Sequence, residues 1–114
     1  MSTPEAVAHV EALVGAGGDA DDILRAVVGV LAERYAWAGI FFVEAGELVL
    51  GPQAGVPDAS RRAQLPVTWQ GERVAELAID AAPEEDRKFL ERVAELVAAQ
   101  CLVGWDTGGE DWDP

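Results

Sequence analysis

The chain has 114 residues, of which 50% are hydrophobic, and a formal net charge of −13 from 8 basic and 21 acidic side chains. This length suits a single domain, and the apolar share is enough for a hydrophobic core. The strong negative charge repels phosphate backbones and anionic membrane surfaces, so we exclude nucleic acid and membranes as expected partners.

Two helices are predicted at the start of the chain, over residues 2–14 and about 20–35. Between them, Gly15-Ala16-Gly17-Gly18 forms a hinge, because glycines end helices and loosen the backbone. Acidic residues at the start of the second helix suit its exposed amide groups. The second helix has a wide apolar face, whereas the first has only a narrow stripe. That stripe consists of Val7, Val10, Leu13 and Val14.

Two β-hairpins are predicted next. Residues 37–44 (WAGIFFVE) are apolar on both faces, which is typical of a central strand, and residues 47–51 return beside them. Residues 52–61 are rich in Pro, Gly and small polar residues and predict a loop. Residues 62–69 predict an edge strand, because Pro66 has no N–H to donate to a neighbouring strand.

The second hairpin is completed by a strand over residues 72–80. A two-residue turn at Gln70-Gly71 would pair Val67 with Val74 and Thr68 with Arg73. Strict alternation then places Leu77 and Ile79 on one apolar face and leaves the other face mixed. The mixed face is predicted to carry Val67, Trp69, Val74 and Glu76.

A last helix is predicted from about residue 82 to 103, with Gly104 ending it and an acidic, flexible tail over 105–114. The chain therefore divides into an N-terminal helix with its hinge (1–18), one domain (19–104) and the tail. The predicted fold class is α+β. Its antiparallel four-stranded sheet has the order 2-1-4-3, and the N- and C-terminal helices cover one face.

This order of elements resembles the GAF fold, in which an N-terminal helix, an antiparallel sheet and a C-terminal helix follow one another. The resemblance spans about residues 20–103. It is carried by Trp37 to Val43, Glu47 to Gly55, Gly71 to Asp80, and Asp86, Phe89 and Leu90 of the closing helix.

The stretch from Glu47 to Pro52 (ELVLGP) is similar to the GAF-type free methionine-(R)-sulfoxide reductases. The resemblance implies enzymes that work with cysteine thiols, one just after this stretch and one in a longer middle segment. Here the nearest position to the first thiol is Asp58-Ala59-Ser60, and the chain passes within a few residues from Ser60 to the strand at Leu65. The resemblance therefore implies a shortened domain without those cysteines and without the segment that covers the pocket.

The remaining reactive residues give no catalytic constellation. Cys101 lies on the apolar stripe of the predicted last helix, which indicates a buried structural cysteine. His9 has no cysteine or second histidine near it in sequence, and the acidic clusters suit helix starts. We expect no metal, no cofactor and no catalytic residue. We also expect a cytoplasmic protein, because no basic leader or long apolar run is present.

The first functional hypothesis is a non-catalytic GAF-like module that forms a homodimer and has a signalling or regulatory role. The apolar stripe of the first helix would be exposed in an isolated chain, so we predict that this stripe forms the dimer interface. The interface residues predicted are Val7, Val10, Leu13 and Val14.

Two alternatives stay open. One is a sensor that binds a small-molecule ligand on the sheet face away from the helices. Its predicted ligand-binding residues are Phe42, Val67, Trp69 and Glu76. The other is a degenerate methionine sulfoxide reductase-like enzyme, which the missing cysteines disfavour because thiol chemistry needs a thiolate nucleophile.

Overall fold

The computed structural model describes residues 2–103, so the predicted end of the last helix at Gly104 and the predicted tail over 105–114 lie outside the described residues. The helices are α1 Thr3–Gly15, α2 Ala20–Ala32 and α3 Arg87–Val97. The strands are β1 Trp37–Glu44, β2 Glu47–Gly55, β3 Arg62–Trp69 and β4 Glu72–Asp80. Short 3₁₀ turns occupy Ala59–Arg61, Glu84–Asp86 and Ala98–Val103.

The four strands form one antiparallel sheet in the order β2-β1-β4-β3. The predicted α+β class, the strand order and the edge position of β3 are therefore confirmed. Pro66 is exposed on β3 and lies opposite Glu76 of β4. A proline fits there because the outer side of an edge strand needs no donor.

Several element boundaries differ from the predictions. α2 ends at Ala32 instead of near residue 35, and α3 begins at Arg87 instead of near residue 82. β2 continues to Gly55 instead of ending at Gly51, because Gln53 and Ala54 pair with Gly39 and Ala38 of β1. A register shift lets β2 pass Pro52 and keep pairing. The last helix is also shorter than predicted, since α3 is regular only to Val97 and continues as a 3₁₀ turn.

The three helices cover one face of the sheet, which we call the inner face. α1 packs against both α2 and α3, and Arg92 of α3 forms an ion pair with Glu11 of α1 at 3.3 Å. The sheet contributes a set of buried apolar side chains to this core. They are Ala38, Ile40, Phe42, Leu65, Val67, Ala75, Leu77 and Ile79.

A one-residue bulge in β4 corrects the predicted register of the second hairpin. Thr68 pairs with Arg73 as predicted, but Val67 pairs with Ala75, so Val74 is the extra residue. A one-residue shift turns every following side chain to the opposite face. Val67 therefore lies in the core beside Leu77, and its predicted placement on the mixed face is wrong.

The opposite sheet face, which we call the outer face, has no helix over it among the described elements. The Trp37 ring lies over Gly39 on this face, so close that a Cβ atom at position 39 would overlap it. Glycine at 39 is thus required by the close approach of the indole. In residues 2–103, no helix is long and apolar enough to cross a membrane.

We expect Gly39→Ala to lower the free energy of unfolding by about 1–3 kcal/mol, because the added methyl group must push the Trp37 ring away. Gly29→Ala is the matched control, since nothing lies within 4 Å of the methyl group it would add to α2. That control should raise stability by about 0.5–1 kcal/mol through helix propensity. Urea denaturation measures both changes, and equal urea midpoints for the two variants would contradict the placement of Trp37.

Candidate functional site on the outer face of the sheet

One end of the outer face is closed by a cluster of polar and aromatic side chains, which we call the Arg62 cluster. The Arg62 guanidinium stacks on the Trp37 ring at 4.3 Å from the ring centroid. It also forms two hydrogen bonds with the Asp80 carboxylate, from Nε to Oδ1 at 2.7 Å and from Nη2 to Oδ2 at 3.0 Å. The Trp37 indole N–H donates to Gln53 Oε1 at 3.0 Å. Such paired contacts fix the position of each member.

The strand registers explain why these residues meet. Trp37 and Arg62 both pair with Asp80, so the three stand side by side across β1, β4 and β3. The Asp58 backbone N–H donates to Asp80 Oδ2 at 2.6 Å, which ties the loop before β3 to the same carboxylate. Asp80 is 0% exposed and accepts three hydrogen bonds.

The electrostatics of the cluster favour the charged forms of both ionisable groups. The hydrogen bonds from Arg62 and from the Asp58 N–H lower the pKa of Asp80, although burial acts in the opposite direction. The same pairing raises the pKa of Arg62. A buried carboxylate whose charge is paired and whose two oxygens both accept hydrogen bonds in this way acts as a structural element.

The other end of the outer face is open and apolar. Phe41 pairs with Leu50, and Val43 pairs with Leu48, so four apolar side chains lie together on β1 and β2. Leu48 is 43% exposed and Leu50 is 38% exposed, while Phe41 and Val43 are half-buried. We call these four residues the outer-face patch. Adjacent exposed apolar side chains mark an interaction surface more often than isolated ones do.

Glu76 borders the patch and is 9% exposed. Its Oε2 accepts a hydrogen bond from Arg73 Nη2 at 2.8 Å, whereas its buried Oε1 has no hydrogen-bond partner within residues 2–103. An unpaired buried acceptor is rare in a folded protein and marks a place where a donor is missing.

The four residues predicted as a ligand site do not lie together. Phe42 and Val67 are buried in the core on the inner face, so they cannot line a site on the outer face. Glu76 does lie on the outer face, opposite Phe41. Trp69 is half exposed at the tip of the second hairpin, opposite Glu72. Val67 was expected on the outer face because the bulge at Val74 was not predicted. Phe42 was expected there too, but its position in β1 faces the core.

The residues predicted as a dimer interface are largely used inside the chain. Val10 is fully buried in the core, so it is not available to a partner. The other three are only partly buried and pack against the core from α1. They are Val7, Leu13 and Val14.

Cys101 is buried as predicted, in the 3₁₀ turn after α3. Burial raises the pKa of its thiol to about 12, so the thiolate is scarce at neutral pH. His9 is exposed on α1. Within residues 2–103, no three His, Cys, Asp or Glu side chains come together as a metal site.

Sequence reasoning missed the Arg62 cluster and the outer-face patch. A bulge-free hairpin around Gln70-Gly71 would set Arg62 opposite Ile79, so the pairing with Asp80 depends on the extra residue Val74. The signal that was available for the patch is the apolar run Leu48-Val49-Leu50 in β2, since such a run puts apolar side chains on both faces of a strand.

Comparison with known proteins supports the fold. The chain is similar to two structures of fRMsr of Staphylococcus aureus, one in complex with substrate and one in the reduced form. Each superposes with a TM-score of 0.73 at 16% identity, covering 88% of this chain and 95% of the other. The likeness establishes a GAF-like fold. No family model and no curated protein matches the sequence.

We expect Asp80→Asn to lower the free energy of unfolding by about 2–4 kcal/mol at pH 7, because it leaves the Arg62 guanidinium without its counter-charge. Asp22→Asn is the matched control, since Asp22 also pairs with an arginine but is exposed. Its urea midpoint should stay close to that of the wild type.

The same substitution has a defined pH dependence. The pKa of Asp80 is lowered in the folded protein, so its stabilising effect is complete above its unfolded value of about 4 and is lost as the pH falls through the folded value. The stability gap between the wild type and Asp80→Asn should therefore be constant from pH 5 to 7 and shrink below about pH 4. A gap that widens on acidification would contradict the charged pairing.

We also expect Cys101 to react slowly with iodoacetamide at pH 8 in the native protein, because the reactive thiolate is both scarce and buried. In 8 M urea the thiol should react at the rate of a free cysteine, at least roughly a hundredfold faster. Mass spectrometry of quenched samples measures both rates. Equal rates would show that the thiol is accessible in the folded chain.

Proposed function

We propose that this chain is a non-catalytic GAF-like module that pairs with a second copy of itself and has a regulatory role. The observation that carries the proposal is the exposure of Leu48 and Leu50 beside the unpaired outer edge of β2. A long edge strand with apolar neighbours is a surface that natural proteins cover or pair.

The edge of β2 suits a symmetric partner. Two copies of an antiparallel edge strand can pair about a twofold axis, since each strand presents the same groups to the other. The two sheets would then become one, and the outer-face patches of both copies would adjoin. Leu48 and Leu50 would lie nearest to the axis, on the strand that forms the contact.

Charge sets the conditions under which pairing is expected. Each copy carries a formal charge of −13, so two copies repel each other at long range. The outer-face patch is uncharged, and Arg73 near its border adds one positive group. Added salt screens the repulsion and leaves the apolar contact in place, so dimerisation should strengthen between 20 and 300 mM NaCl, over which the Debye length falls from about 20 to about 6 Å.

The stripe on α1 is the competing interface. Its central residue Val10 is buried within the chain, but Val7, Leu13 and Val14 keep some exposed area. The outer-face patch has the larger exposed side chains, which is why we prefer it.

Two features support a non-catalytic role over a thiol enzyme. Cys101 is buried with a raised pKa, which is the opposite of what a thiol nucleophile needs. The Arg62 cluster also fills one end of the outer face with the chain's own side chains. A mechanism like that of an fRMsr enzyme would therefore need a nucleophile from elsewhere in place of Cys101.

A small-molecule sensor is the second candidate function. The observation that favours it is the acceptor Glu76 Oε1 beside the outer-face patch, which has no hydrogen-bond partner among the residues that the structure describes.

The proposal predicts a dimer of twice the 12.1 kDa chain mass in light scattering at 300 mM NaCl. The double variant Leu48→Ser/Leu50→Ser should weaken dimerisation by at least roughly tenfold, because two apolar side chains per copy are lost from the contact. The matched control is Val56→Ser, which removes an exposed apolar side chain just beyond β2.

Val7→Ser distinguishes the two interfaces, because it changes the α1 stripe and leaves β2 intact. If it weakens the dimer and the β2 variant does not, α1 is the interface. A wild-type chain that stays monomeric at several hundred micromolar in 300 mM NaCl would refute the association proposal.

A further inference from the structure

We infer that Glu76 is the anchor of a binding site for a small organic ammonium ion with an apolar tail, and that Arg73 occupies this site when no ligand is bound. The inference rests on the sensor function of the outer face and names the class of ligand. It does not depend on dimerisation.

Glu76 lies on the outer face with apolar neighbours on both sides. Phe41 of β1 and Pro66 of β3 are its direct cross-strand partners. These neighbours offer the carboxylate no hydrogen-bond donor from their side chains. A carboxylate at 9% exposure between such neighbours has lost most of its water, so it depends on donors brought to it.

The donors present do not satisfy the carboxylate. Arg73 Nη2 donates to Oε2 at 2.8 Å, and Oε1 is buried with no hydrogen-bond partner in the described part of the chain. A carboxylate can accept about four hydrogen bonds on its two oxygens. Glu76 thus has one buried acceptor that lacks a donor among the described residues, and a cation that reaches both oxygens would bind it better than Arg73 does.

Arg73 is suited to leave the site. Its side chain is 48% exposed, and it lies three residues from Glu76, next to the bulge residue Val74. Water and salt can compete for the exposed Arg73 guanidinium, although Glu76 itself is largely buried. Since Arg73 is the exposed member of the pair, its movement is the route by which an outside group reaches the carboxylate.

The surroundings define the ligand class. A compact ammonium has three donors and can lie between two carboxylate oxygens, whereas the planar guanidinium of Arg73 reaches one of them with a hydrogen bond. Phe41 and Leu50 pair with each other beside the site, and both have exposed area for an apolar tail. The charge of −13 draws cations toward the chain.

A divalent metal fits this site poorly. Calcium and magnesium take six or more oxygen ligands, and within residues 2–103 no cluster of three acidic or metal-ligating side chains exists. An organic cation needs only the one carboxylate and an apolar wall, which is what the outer face provides.

The test uses n-hexylamine, which keeps its proton at pH 7 as a lysine does, and n-hexanol as its uncharged analogue. Binding to the full chain is measured by titration with NMR chemical shifts. We expect the amine to bind at least roughly tenfold more tightly than the alcohol, because it adds a charge-assisted hydrogen bond. Equal affinities would reduce the site to a nonspecific apolar surface and overturn the inference.

Two variants with opposite expected effects complete the test. Glu76→Gln should weaken amine binding by at least roughly tenfold, since the charge is lost and the shape is kept. Arg73→Ala should strengthen it by roughly threefold to fivefold, because the competing cation is gone. Glu72→Gln removes one charge from an exposed position of the same strand and should leave affinity unchanged.

The inference fails if Glu76→Gln binds the amine as the wild type does, or if Arg73→Ala binds it more weakly. Failure of amine binding in every variant also overturns it. A thermal-shift screen of neutral and anionic ligands then decides separately whether the outer face binds any small molecule. Dimerisation is judged only by light scattering, since these variants keep Leu48 and Leu50.

Discussion

The offset of one residue within the second hairpin determines which side chains lie together on the outer face of the sheet. Thr68 pairs with Arg73, but Val67 pairs with Ala75, and every later pair of β3 and β4 follows this shifted register. The shift sends Val67 into the core and brings Arg62 opposite Asp80. A matching shift in the first hairpin sets Gln53 opposite Gly39, within reach of the Trp37 indole. Both register shifts have this effect because a shift of one residue moves every side chain beyond it to the opposite face of the sheet.

These two shifts divide the outer face into a closed end and an open end. At the closed end, a fully buried carboxylate pairs with a guanidinium and accepts a hydrogen bond from a backbone N–H, and the guanidinium in turn stacks on an aromatic ring. At the open end, Leu48 and Leu50 remain exposed, and one oxygen of Glu76 has no donor among residues 2–103. Polar groups that have hydrogen-bond partners within the chain stabilise the fold, whereas polar groups that lack them are available to bind a partner.

The likeness to fRMsr of Staphylococcus aureus extends over most of both chains at 16% identity. A shared sheet and helix arrangement does not transfer chemistry, because function depends on the side chains placed on it. In this chain the one cysteine lies in the core, in the 3₁₀ turn after α3. The described side chains of the outer face form the Arg62 cluster at one end and the outer-face patch beside Glu76 at the other.

The sequence by itself determined the helices, the four strands, the edge position of β3 and the burial of Cys101. Hydrophobic periodicity and turn residues are local features of the sequence, so they can be recognised without a structure. Only the tertiary structure decided which residues meet on the outer face. A bulge at Val74 has no local signature, yet it moves Val67 inward and pairs Arg62 with Asp80. Packing of the core selects that register, because Val67 and Leu77 are buried together only when the strand carries the extra residue.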